Sequence, residues 1–177
     1  MSKTVPEVTH IEKFILDATA GFRQMWYDKQ QPNTIYLDAR PECEPDIVCD
    51  FRDLKQFEDE KFRLIIFDPP HMIKKYLHNN TNTARKYGLL EPDTWASDIK
   101  QASRELWRVL KTFGILLFKW NTQYLPANKV ADLFPVKPLI YQVSATSSKY
   151  KTKTGKHEIQ KVRTVWFCFM KIPEASI

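Results

Sequence analysis

Apolar residues fall in short blocks along this chain, and most blocks close on an acidic residue. Residues 13–18 predict a first strand, 34–38 a second, 46–49 a very short third and 63–67 a fourth. The fourth runs straight into Asp68-Pro69-Pro70-His71. Two adjacent prolines have no N–H to give to a ladder, so the strand stops there. After the first strand, Thr19-Ala20-Gly21 turns the chain, and 22–29 predicts a short helix. Segment 94–110 carries the clearest helical pattern, with Trp95, Ile99, Ala102, Leu106, Val109 and Leu110 recurring at spacings of three and four. Residues 113–119 predict a fifth strand, and the alternating segments 138–145 and 162–171 a closing hairpin. The polar stretch 72–94 reads as a long loop or lid.

Short apolar strands separated by helical or loop crossings predict a mostly parallel sheet, and the hairpin adds an antiparallel edge. The expected fold is α/β and Rossmann-like: seven strands in one domain over residues 1–177. A hydrophobic fraction of 43% supports a folded chain. Three cysteines without a CxxC pair fit a reducing compartment, and no apolar run is long enough for a membrane span, so a cytoplasmic location is expected. The net charge of +6 is compatible with a polyanionic partner.

Asp17, Asp38, Asp50 and Asp68 each follow an apolar block. Ligands of open α/β sheets bind beyond the carboxyl ends of the strands, where these acids would lie. Gly21 lets backbone approach a ligand closely. Asp38, about twenty residues further on, is placed to accept from ribose hydroxyls. Asp50 and Phe51 suit an adenine amino group and its ring. At Asp68-Pro69-Pro70 a carboxylate and free carbonyls supply converging acceptors for an amino group, and His71 supplies a flat ring. The absence of GxxxxGK[ST] and HExxH argues against ATP hydrolysis and a catalytic zinc, and no metal is expected.

Taken together, Ile15 to Gly21, Tyr36-Leu37-Asp38, Asp50-Phe51, Asp68 to His71, Arg108 to Lys111, Gly114 to Lys119 and Val165 to Lys171 resemble class I S-adenosylmethionine-dependent methyltransferases. Among these the chain looks most like the small phage and bacterial adenine-N6 DNA methyltransferases, here with Asp-Pro-Pro-His as the catalytic motif. The resemblance implies S-adenosyl-L-methionine as cofactor, with Asp17, Ala18, Thr19 and Gly21 at its methionine part, Asp38 at the ribose, and Asp50 and Phe51 at the adenine. It implies Asp68, Pro69, Pro70 and His71 as the catalytic set, and an exocyclic amino nitrogen of a nucleic-acid base, adenine N6 in DNA first, as acceptor. The glycine turn lacks the family's second glycine, and His71 stands where tyrosine, phenylalanine or tryptophan is usual.

Lys119 and Trp120 end the fifth strand on the side of the motif, where Trp120 either lines the pocket or sits at the edge of the core. Lys149, Lys151, Lys153 and Lys156, with Lys161 and Arg163, form a basic hairpin suited to phosphates. The segment from Lys74 to Gly88 is placed to close over a target base. So small a chain calls for a short recognition sequence, a specificity partner or a homodimer. Two other functions fit the same residues: N-methylation of RNA or a small molecule, and a non-catalytic nucleic-acid-binding subunit on a methyltransferase fold.

Overall fold

The computed structural model describes residues 12–74, 82–151 and 157–173. Seven strands form one sheet: β1 (Ile15–Asp17), β2 (Thr34–Asp38), β3 (Ile47–Val48), β4 (Phe62–Phe67), β5 (Leu110–Asn121), β6 (Ile140–Lys151) and β7 (His157–Met170). Their order is β3-β2-β1-β4-β5-β7-β6. The first five are parallel, while β7 runs antiparallel to both β5 and β6. The described helices are α1 (Asn82–Tyr87), α2 (Trp95–Val109) and α3 (Ala127–Ala131), with a 3-10 turn at Pro41–Cys43. None of the described helices is long and apolar enough to cross a membrane.

One sheet face carries the core. Leu16, Ile65 and Leu116 align across β1, β4 and β5, and Phe67, Phe118 and Phe167 across β4, β5 and β7. Buried Ile99, Ala102, Leu106 and Val109 of α2 join them in one cluster. Ring contacts continue the packing, with Phe134 stacked on Phe169 at 4.6 Å between centroids. The opposite face carries Asp17, Ile66, Leu117 and Cys168 in one row. Successive strand residues point to opposite faces, so the two rows are offset by a single residue.

α2 passes into β5 with no connecting residue. Phe62 pairs with Leu110, but Leu64 pairs with Ile115, so two steps on β4 correspond to five on β5. This bulge holds Phe113 at φ 64°. At Gly114 a Cβ would lie 2.7 Å from the Lys111 carbonyl oxygen and 2.8 Å from Leu110 Cδ1, so no side chain fits.

Three expectations change. Segment 22–29 forms turns, not a helix. Gly21 at φ 49° and Arg23 at φ 55° break the run of right-handed residues that a helix needs. The Arg23 guanidinium instead lies 4.0 Å from the Tyr36 ring centre and donates to the carbonyls of Lys29 and Glu44. Within 72–94, α1 replaces part of the expected loop, and buried Ile73 and Leu90 form a bridge. The hairpin strands β6 and β7 are longer than the segments 138–145 and 162–171.

Candidate active site

The site forms where β1, β2 and β4 end side by side. Asp17 is fully buried, and its carboxylate accepts from the Thr19 N–H at 3.1 Å and the Trp26 indole N–H at 2.7 Å. Burial pushes its pKa up to about 6, against the pull of both donors. Asp17 thus ties the turn together from beneath. Above it, the Gly21 N–H donates to Asp38 Oδ2 at 2.8 Å, which joins the ends of β1 and β2.

Asp38 is also gripped by Arg40, whose Nε and Nη2 lie 2.9 and 3.0 Å from its two oxygens. Burial works to raise the Asp38 pKa, but hydrogen bonds from Arg40 and Gly21 outweigh it and hold the carboxyl below the usual range. Asp50 is held low chiefly by hydrogen bonds from the Arg52 guanidinium, which also reaches Asp98 at 2.8 Å. Phe51 packs edge-on against Phe67, with ring centres 5.3 Å apart.

The strand-stopping motif stands across the cleft. The Asp68 N–H donates to Thr19 Oγ1 at 2.7 Å, which fixes the motif to the turn after β1. Lys119 Nζ donates to Asp68 Oδ2 at 2.6 Å. Gly88 packs on Pro70: it sits at φ 75°, and a Cβ there would come 3.1 Å from the proline ring. His71 meets Trp120 edge-on at 6.4 Å, and burial holds its imidazole below the ordinary value.

A cavity of about 340 Å³ lies between these groups. Ala18 to Gly21, Asp38 and Phe51 line it together with Asp68, Pro70 and Lys119. Tyr87, Gly88 and Leu89 belong to the lining as well. Of the remaining expected residues, Asp17, Asp50, Pro69 and His71 stand behind or beside the lining. Trp120 belongs to the core: it is fully buried, and its indole N–H donates to the Leu125 carbonyl. Lys149 and Lys151 lie at the hairpin end of β6, while Lys153 and Lys156 lie outside the described residues. Sequence reasoning missed the role of Arg40, two residues beyond Asp38, and the bond from Trp26 to Asp17, which no motif signals.

No family model matches the chain, and no curated protein matches it. Solved structures do. YcgJ from Bacillus subtilis superposes with a TM-score of 0.60 at 14% identity, over 93% of this chain and 94% of that one. A SAM-dependent methyltransferase from Methanosarcina mazei gives 0.55 at 11% identity, over 93% and 94%. A TehB-like SAM-dependent methyltransferase from Corynebacterium glutamicum gives 0.51 at 16%, over 89% and 79%. The chain thus shares its fold with solved SAM-dependent methyltransferases. At such identities the likeness concerns the backbone.

Proposed function

We propose that this chain transfers a methyl group from S-adenosyl-L-methionine to an exocyclic amino nitrogen of a nucleic-acid base, with adenine N6 in DNA as the leading substrate. The observation that carries the reading is that Asp68 and Pro70 of the strand-stopping turn line the same cavity as Ala18 to Gly21 and Asp38 of the β1–β2 cradle. That cradle fits the cofactor in three respects. Gly21 leaves room at a bend that a side chain would strain. Asp38 offers a carboxylate at the ribose position. The cavity falls within the range of roughly 300–1,000 Å³ usual for small ligands. Arg40 would have to share Asp38 with the ribose or swing aside.

S-adenosyl-L-methionine, when bound, supplies an already activated methyl group, so the residues here need mainly to align the acceptor. Asp68 and the proline carbonyls accept from the two amine hydrogens, which leaves the nitrogen lone pair free to turn toward the cradle. As the nitrogen gains positive charge, the Asp68 carboxylate stabilises it. The Thr19 bond to the Asp68 backbone keeps this acceptor in register with the cradle. A base within duplex DNA would have to leave the stack to reach it.

A radiolabelled transfer assay against DNA, RNA and protein, followed by identification of the modified atom, tests the proposal. Label on N6 of adenine in DNA is the expected result, and label only on oxygen or carbon acceptors would overturn it. N-methylation of RNA or a small molecule is the second reading. The cavity volume of about 340 Å³ favours it, because a space of that size suits a small acceptor. Equal turnover of free nucleoside and polymer would select the small-molecule form.

A further inference from the structure

The strand register sets four residues in a line across the sheet. Lys119 of β5 pairs with Trp166 of β7. Phe67 pairs with Phe118, so Asp68, the next residue, stands beside Lys119. On the other side, the Thr19 hydroxyl meets the Asp68 backbone. The line Thr19, Asp68, Lys119, Trp166 begins in the cofactor cradle and ends on a half-buried indole. Lys119 Nζ is 2.6 Å from Asp68 Oδ2 and 5.8 Å from the centre of the Trp166 ring.

Trp166 differs from the other two tryptophans near the site. The indole N–H of Trp26 is taken by Asp17, and that of Trp120 by Leu125. Among the described residues, the Trp166 N–H donates to no protein acceptor. Sequestered tryptophans normally find a partner for this donor, whereas those at binding surfaces present ring and N–H together. The position after Pro-Pro does not supply the missing flat wall, since His71 is packed edge-on against Trp120, whereas Trp166 stands beside the lining, next to Lys119, which belongs to it.

We propose that Lys119 and Trp166 form the subsite for the acceptor ring, with the indole stacking on it and the ammonium donating to the ring nitrogen next to the amine. The inference rests on the amine-methylation reading and narrows its substrate class. Asp68 accepts and Lys119 donates, side by side. That pair complements an amidine edge, an amino group beside an unprotonated ring nitrogen, as adenine and cytosine present when flipped out. An aliphatic amine would gain from neither the stack nor the lysine.

The probe is a single-stranded oligonucleotide carrying one 2-aminopurine, which has such an edge and reports stacking by its fluorescence. Trp166→Ala should weaken probe binding about 5- to 150-fold, the range of one base–aromatic stack, and Trp166→Phe should retain most of it. Lys119→Met should weaken binding where Lys119→Arg does not, and calorimetry should find cofactor affinity unchanged in all four variants. If Trp166→Ala fails to fold, Trp166→Leu against Trp166→Phe carries the comparison, because both fill the space and only one stacks. Equal probe affinity in Leu and Phe variants overturns the subsite even if the parent methylates bases. A parent that binds the cofactor but methylates no amine overturns the functional reading beneath it.

Discussion

The two faces of the sheet, compared where β4, β5 and β7 lie side by side, do opposite work with adjacent residues. On one face Phe67, Phe118, Trp120 and Phe167 are buried against one another. On the other, Asp68, Lys119 and Trp166 carry charge and an unspent donor. Lys119 and Trp120 are neighbours in sequence and belong to different faces, one lining the cavity and one buried in the core. In such a sheet, a residue's function follows from its phase along the strand as much as from its type.

The largest effect should fall on the apolar face. Trp120→Ala removes a fully buried indole and should cost about 3–5 kcal/mol of stability in urea or thermal melts. A loss below about 1 kcal/mol would mean that Trp120 is not a core residue and that the division between the faces is misdrawn.

Next in size is Asp68→Ala, which should lower single-turnover methyl transfer about 10²- to 10³-fold while cofactor titration and the melt stay near the parent's. Asp68→Asn should be milder, since an amide oxygen still accepts. Transfer at the parental rate in Asp68→Ala would remove the motif from the mechanism.

Asp17 sharpens the comparison, because it lies on the polar face yet serves structure. Its pKa is raised on folding to about 6, well above the ordinary range of a carboxylate. The folded chain therefore holds that proton more tightly than the unfolded chain does. Stability from this group is full below about pH 4 and falls as pH climbs through about 6, by roughly 3 kcal/mol in all. Asp17→Asn cannot ionise, so it should melt higher than the parent at pH 8, by on the order of 1–3 kcal/mol, with no such gain at pH 4. The same gain at both pH values would show that burial of the charge is not the cause.

An effect of similar size is expected on cofactor affinity. Asp38→Ala should lose about 1.5–3 kcal/mol in calorimetry if the carboxylate bonds the ribose. Unchanged affinity would mean that Arg40 keeps Asp38 for itself.

Much of this arrangement is legible from local sequence. The segment 34–38 is β2 residue for residue, the predicted strand 63–67 lacks only the first residue of β4, and the predicted helix 94–110 exceeds α2 by one residue at each end. These elements announce themselves through apolar periodicity, and the prolines of the motif mark a strand end without help from distant residues. The rest depends on long-range facts. Trp26 reaches back to Asp17 only because Gly21 and Arg23 turn left-handed, which cancels the helix expected at 22–29. Trp166 reads as one more apolar residue of a closing strand until β7 is placed beside β5. Local pattern also leaves Trp120 undecided between pocket and core, since either phase of β5 shows an alternating sequence.

That phase has an identifiable origin in the bulge at the start of β5, and it behaves like a reading frame. The bulge takes up five residue steps against two on β4, an odd difference, and so assigns Lys119 to the cleft and Trp120 to the interior. A deletion of one residue among 111–113, with the bulge keeping its five steps and the downstream register slipping by one, would be a frameshift in three dimensions. Every side chain from Ile115 to Asn121 would exchange faces, with an ammonium sent into the core and an indole into the cleft, although no residue of the site had been altered. Gly114, which touches no part of the cavity, guards this frame because no other residue fits the bend.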